Sequence, residues 1–114
     1  MKYHRGHGGI REDLGFYVRS SWEANFARIL RYEGENFEYE SVSFTLSDGK
    51  TYTPDFKVGD VFYEIKGYMT ETAKRKIFMF TEEYPGYILK VIDHEEYCKL
   101  KERFENLINW EKSK

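Results

Sequence analysis

A single cysteine, Cys98, stands in this chain of 114 residues, which excludes an internal disulfide and a cysteine-built metal cluster. No apolar run approaches the ~18 residues of a membrane span, and no signal-peptide pattern opens the chain. The expectation is a cytoplasmic protein with no membrane partner. Positive charge is not in excess either: Lys and Arg number 18 against 20 Asp and Glu, a formal net charge of −2. Domains that bind nucleic acid are usually basic, so this balance counts mildly against that class. Against it, the basic residues are bunched, first through Arg5 and Arg11 and again at Lys74-Arg75-Lys76. A zinc-finger or helix-turn-helix pattern is also lacking.

What is present suits one folded domain. The composition is 40% hydrophobic and 33% charged, which is that of a globular rather than a disordered chain. Aromatic residues reach 18%, mostly Tyr and Phe, so rings must supply much of the packing area.

The most informative stretch is Thr53-Pro54-Asp55-Phe56-Lys57-Val58-Gly59-Asp60-Val61-Phe62-Tyr63-Glu64-Ile65-Lys66. It reads as two strands joined at Gly59-Asp60, with Gly at the first central position of a two-residue II′ turn. That closure sets Val58 opposite Val61, Phe56 opposite Tyr63 and Pro54 opposite Ile65 on an apolar face. The other face pairs Lys57 with Phe62, Asp55 with Glu64, and Thr53 with Lys66. Two carboxylates with Cβ atoms ~5 Å apart are normally destabilising. A hard cation such as Mg²⁺ between them resolves the conflict, with Lys66 beside it to hold a phosphate oxygen or a water. The alternative is an ordinary charged strand face turned to solvent.

Pro54-Asp55 followed by Glu64-Ile65-Lys66 resembles the signature of the PD-(D/E)XK, or restriction-endonuclease-like, nuclease superfamily. The resemblance implies a metal-dependent phosphodiesterase that cuts DNA. Asp55 and Glu64 would be metal ligands, the carbonyl of Ile65 a further ligand, and Lys66 the catalytic lysine. Mg²⁺ is the implied cofactor, with Mn²⁺ substituting.

A helix is expected from Ser20-Ser21 to Tyr32 or Glu33, stopped by Gly34, with Trp22, Phe26, Ile29 and Leu30 as its buried stripe. Glu23 has two readings. It fits a capping box with Ser20, yet it shares the inward face with Phe26, Ala27 and Leu30, where a free carboxylate is costly. Arg19-Ser20-Ser21-Trp22-Glu23-Ala24-Asn25-Phe26-Ala27 resembles the helix of small phage-type endonucleases, transposon-end nucleases and junction resolvases of that superfamily. There a helix-borne Glu completes the site, and this resemblance implies the same role for Glu23.

Residues 37–46 read as a strand leading through a three-residue Ser47-Asp48-Gly49 loop, pairing Phe44 with Tyr52 and Val42 with Pro54. Thr70 caps a second helix from Glu71 to about Tyr84, stopped by Pro85-Gly86. Residues 87–92 form an almost unbroken apolar run, expected as a central strand buried on both sides and parallel to the 61–66 strand. Asp93 caps a last helix whose core stripe is Tyr97, Leu100, Phe104, Leu107 and Ile108. Cys98 reads as a small buried hydrophobe. Trp110 is expected on the core or on a second subunit. The order matches an α/β fold with the αβββαβ core of the superfamily: a mixed four-stranded sheet flanked by helices, plus a C-terminal helix. Residues 1–18 are expected as a flexible basic arm and residues 19–114 as a single nuclease-like domain.

The expected chemistry is hydrolysis of a DNA phosphodiester, with Glu23, Asp55, Glu64 and Lys66 as the catalytic set. Arg5, Arg11, Arg19, Lys74, Arg75 and Lys76 are candidate contacts to DNA. With no appended reader, recognition of DNA shape, such as a branch or junction, is expected, and a junction-cutting enzyme would be a homodimer. The alternatives are a non-catalytic DNA-binding or assembly module of the same fold, or a sequence-specific endonuclease of homing or restriction type.

Overall fold

A computed structural model describes residues 7–112; the Arg5 candidate falls outside them. In chain order the elements are β1 (Gly9–Arg11), β2 (Phe16–Val18), α1 (Ser21–Tyr32), β3 (Glu38–Tyr39), β4 (Phe44–Thr45), β5 (Thr51–Tyr52), β6 (Phe56–Val58), β7 (Val61–Ile65), α2 (Glu71–Glu83), β8 (Ile88–Ile92) and α3 (His94–Phe104). The described residues thus form an α/β chain with three helices, a mixed four-stranded sheet and two two-stranded sheets. They divide into two units. One comprises the described residues up to Glu35 and from His94 onward, the other Asn36–Asp93.

In the first unit, residues 9–18 fall within the stretch expected as a mobile arm, yet they form an antiparallel hairpin with Ile10 opposite Tyr17. Leu14 in its turn and Val18 at its end are buried. Gly8, one of the glycines that suggest mobility in the sequence, serves close approach instead: a Cβ there would fall 2.2 Å from the Tyr17 hydroxyl oxygen.

Helix α1 starts and stops where its caps dictate. Ser20 Oγ accepts the Glu23 N–H at 3.2 Å, which satisfies one of the open amides of the first turn. At the other end Gly34 adopts φ 74°, its N–H reaching Arg31 O at 3.0 Å and that of Glu35 reaching Leu30 O at 2.9 Å. This pair of bonds is a Schellman stop, and glycine takes the left-handed position without strain. Trp22, Phe26, Ile29 and Leu30 are all buried as expected.

Asn25, Arg28 and Ser21, the last donating from Oγ to Glu111 Oε1 at 2.7 Å, tie α1 to the C-terminal stretch. Asn25 is fully buried; its Nδ2 donates to Tyr97 Oη at 2.9 Å and to Glu111 O at 2.8 Å. Its Oδ1 accepts from Glu111 N at 2.9 Å and from Arg28 at 3.0 Å. Every amide hydrogen and lone pair is thereby used, the condition under which a buried Asn is stable. Arg28, also buried, meets Asp13 at 2.8 Å and Glu111 at 3.0 Å. Tyr97 stacks on Trp22 with centroids 3.9 Å apart and on Trp110 at 6.2 Å, which places Trp110 on the core of its own chain. Cys98, in contrast, is exposed, because it faces away from the side of α3 that carries buried Tyr97 and Phe104. The helix also ends at Phe104, so Leu107 and Ile108 do not extend its stripe, and Ile108 is 85% exposed.

This network has a pH signature. Burial by itself would raise the Glu111 carboxyl, but hydrogen bonds from Arg11, Ser21 and Arg28 outweigh it and hold the group below its ordinary 4.5. Asp13 is held below 3.8, chiefly by its hydrogen bond from Arg28. A carboxylate depressed in the folded state binds protons more readily when unfolded, so its contribution is complete above the ordinary value and is lost as pH falls through the folded one. The melting temperature should therefore drop as pH falls below about 4.5. Glu111→Gln should lower it at pH 6 and flatten that acid limb, which a thermal melt series from pH 6 to pH 3 measures.

In the second unit the Gly59-Asp60 hairpin forms in the expected register, with Val58 opposite Val61 and Phe56 opposite Tyr63. Gly59 has φ 60° while Asp60 is not in the positive-φ region, the signature of a II′ turn. The second hairpin also forms as expected, with Phe44 opposite Tyr52 and Gly49 at φ 86°. It does not continue into the main sheet. Residues 37–46 break after Tyr39, which pairs with Phe56. Between the Tyr39–Phe56 and Phe44–Tyr52 pairs the first strand holds one residue more than its partner. The extra residue is accommodated at Glu40, whose φ is 49° and whose N–H bonds Asp55 O at 2.8 Å. The Val42–Pro54 pair is accordingly not formed, and Pro54 has no N–H to give to a ladder.

The four-stranded sheet runs β3-β6-β7-β8, with β8 parallel to β7 and the other pairs antiparallel. The expected parallel pairing holds, but the strand expected at the centre is β8 and it lies at the edge, with Ile88 55% exposed. The inner strands are β6 and β7, and β7 is covered on both faces. On one, Phe62 joins Phe44, Leu46, Tyr52 and Phe80 of α2 in a buried cluster. On the other, Ile65 is 1% exposed and Phe56, also 1% exposed, packs against Phe37 and Tyr39 at 5.6 and 5.2 Å.

Candidate functional site

Glu64 follows Phe62 on one face of β7, since strand side chains alternate. That face is not the solvent-facing polar surface that charge alone would suggest. Phe62 packs beneath α2, and Glu64 is only 9% exposed. Its Oε1 accepts a 2.6 Å hydrogen bond from Tyr52 Oη. Tyr52 is in turn held by the Phe80 ring, 5.2 Å away. Burial, then the Glu64 and Asp55 carboxylates, push the Tyr52 phenol far above its ordinary 10.0, so it is a neutral donor.

Asp55 does not take the ladder position opposite Glu64. The carbonyl of Tyr63, which lies opposite Phe56, also receives the Asp55 N–H at 3.1 Å. Two residues against one is a β-bulge, and it releases Asp55 from strict alternation. Its carboxylate reaches the end of β7 instead, where Oδ2 accepts the Ile65 N–H at 2.7 Å. Asp55 is 7% exposed. The direct cross-strand repulsion expected from the sequence is therefore replaced by two carboxylates that each have one oxygen fixed by a named donor.

Lys66 extends the β7–β8 ladder by one step, its N–H donating to Ile92 O at 3.0 Å. Among the described residues its ammonium makes no hydrogen bond or ion pair. Glu40, which the sequence does not single out, places a carboxylate oxygen within 4.8 Å of one from Asp55. Tyr52 is the other residue missed.

Compared with protein-family models, curated proteins and solved structures, the chain matches none.

The remaining candidates are placed as follows. Glu23 lies on α1 in the first unit, 4% exposed. Its N–H is capped by Ser20, and its Oε2 accepts from the same hydroxyl at 3.1 Å, so part of the capping reading is realised. Arg11 is tied to Glu111, with Nη2 to Oε1 at 2.9 Å, while Arg19 is exposed. On α2, Lys74 pairs with Glu71 at 3.4 Å and Arg75 with Asp48 at 3.6 Å, and Lys76 donates to Thr51 O at 3.1 Å. The Lys74 and Arg75 side chains are 59% and 65% exposed, and ion pairs of that kind are weak enough to exchange for a phosphate.

Proposed function

We propose that this chain is a divalent-metal-dependent endonuclease of the PD-(D/E)XK type, hydrolysing phosphodiester bonds of DNA on a restriction-endonuclease-like core. The observation that carries the proposal is the second unit's pair of buried carboxylates, Asp55 and Glu64, each held by its own donor, with Lys66 two positions past Glu64 and its ammonium without a hydrogen bond or ion pair among the described residues. An all-oxygen set of Asp55, Glu64 and the Ile65 carbonyl suits Mg²⁺ or Mn²⁺ rather than a softer ion.

When bound, such an ion supplies charge to the phosphate and a water of lowered pKa. Asp55 and Glu64 would hold it as carboxylate ligands whose orientation the Ile65 N–H and Tyr52 Oη help to fix. Lys66 holds the attacking water or a phosphate oxygen through an N–H bond and stabilises the charge added there. Glu23 enters as a further carboxylate through the resemblance of its helix. Arg19, Lys74, Arg75 and Lys76 are proposed to contact backbone phosphates, which position DNA without reading its sequence. A preference for branched DNA and a homodimer belong to the same proposal; solution mass tests the dimer.

The test is strand cutting of supercoiled plasmid and four-way-junction DNA with Mg²⁺, Mn²⁺ or chelator, using the wild type and Lys66→Ala. Cutting should need the metal, and Lys66→Ala should slow it by about 10²–10⁴-fold. Metal-independent DNA binding with no cutting would favour the non-catalytic alternative.

A further inference from the structure

Tyr52 carries a role that the signature residues do not include. It sits on β5, outside the four-stranded sheet, and its ring belongs to the cluster of Phe44, Leu46, Phe62 and Phe80. Only the hydroxyl leaves that cluster, and it donates to Glu64 Oε1 at 2.6 Å. At 2.6 Å the bond has the length expected of a hydroxyl donating to a carboxylate, the strong class of such bonds. Glutamate has three side-chain torsions, and a carboxylate free to sample them would present either oxygen in many directions. A ring wedged against Phe80 at 5.2 Å removes most of that freedom. With one oxygen held at 2.6 Å, the direction of the whole carboxylate is set.

We infer that Tyr52 is a positioning residue that orients Glu64 for a divalent cation through the Oη–Oε1 hydrogen bond, an inference that rests on the reading of the site proposed above. Tyr52 itself touches neither metal nor substrate. Hydrogen-bond partners that orient a metal ligand typically contribute 10–100-fold in metal affinity, and loss of this one should show at that scale. The same contact makes cation affinity depend on the packing of the α2 cluster, because Phe80 fixes the ring and the ring fixes the carboxylate.

The experiment measures Mn²⁺ binding by electron paramagnetic resonance, without DNA, in wild type, Tyr52→Phe, Glu64→Gln and the double variant. Tyr52→Phe keeps the ring and removes the hydroxyl, and near-ultraviolet circular dichroism checks that the cluster stays packed. Tyr52→Phe should raise the Mn²⁺ dissociation constant by about 10–100-fold. In the Glu64→Gln background the same change should add nothing, since partners in one contact are not additive. A merely structural tyrosine would lower the melting temperature and leave the dissociation constant alone. If wild type binds Mn²⁺ and Tyr52→Phe binds it within twofold as well, the inference is overturned and the site reading stands. Should wild type bind no Mn²⁺, both are overturned. Should Tyr52→Phe lose its packed spectrum, Phe80→Leu serves as a second probe. It keeps the hydroxyl while loosening the ring, and an unchanged dissociation constant there overturns the inference.

Discussion

Asp55→Asn and Glu64→Gln are each expected to lower Mg²⁺-dependent DNA cutting by at least about a hundredfold while leaving the fold in place. The amides keep what the structure needs and remove what the chemistry needs. Asparagine still offers a carbonyl oxygen to the Ile65 N–H now bonded at 2.7 Å, and glutamine still accepts from Tyr52 at the position now bonded at 2.6 Å. Neither amide is an anionic ligand. Removing charge from two carboxylates that are 7% and 9% exposed also relieves desolvation, so the melting temperature should be unchanged or higher. Cleavage assays beside thermal melts check both halves. A clear loss of thermal stability in both variants would mean that these carboxylates serve the fold rather than a cation.

Phe80→Ala should cost about 3–5 kcal/mol of stability. Phe80 is fully buried, and its ring meets Phe44 at 4.7 Å, Tyr52 at 5.2 Å and Tyr84 at 5.6 Å. It is also the one buried residue of α2, so the helix has no second anchor of comparable size to take over. A domain is typically stable by only about 5–15 kcal/mol, which makes this change a large fraction of the whole. Urea unfolding measures it, and a cost below about 1 kcal/mol would show that the cluster collapses around the missing ring. Phe78, two positions earlier and 65% exposed, is the control: its replacement by Ala should move stability by no more than about 0.5 kcal/mol.

The parts legible in the sequence are those where two local signals agree. Gly59-Asp60 gives a II′ turn and the residues on either side alternate, so turn chemistry and pattern choose the same register. For α1, Ser20 at one end and Gly34 at the other bracket an apolar stripe, and the helix fills the space between them. Where only one signal exists, the reading goes astray. The run from Ile88 to Ile92 looks the same whether it lies inside a sheet or along its edge, because composition carries no information about the next strand. The hairpin at 9–18 is hidden by the glycines in and beside it, of which Gly8 packs directly against Tyr17. Cys98 is one step off the buried side of a short helix.

The site divides in the same way. Asp55, Glu64 and Lys66 stand out because their spacing around one turn is fixed by the hairpin. Their geometry does not, since the bulge at Asp55 depends on an unscheduled hydrogen bond to Tyr63 O. Tyr52 looks like any strand aromatic, and nothing in its neighbours marks its hydroxyl as the donor to a carboxylate twelve positions on. Glu40 looks like one more charge in a polar stretch. Its positive φ is uncommon for a residue with a Cβ, and no turn residue announces it.

The central claim is that Asp55 and Glu64 share one cation. Anomalous scattering from crystals soaked in Mn²⁺ tests it directly. The expected result is a single strong peak within ~2.0–2.3 Å of an oxygen from each carboxylate, on the side that Tyr52 Oη and Ile65 N–H do not occupy. A peak bound to one of them alone, or none near either while both stay ordered, would contradict the account.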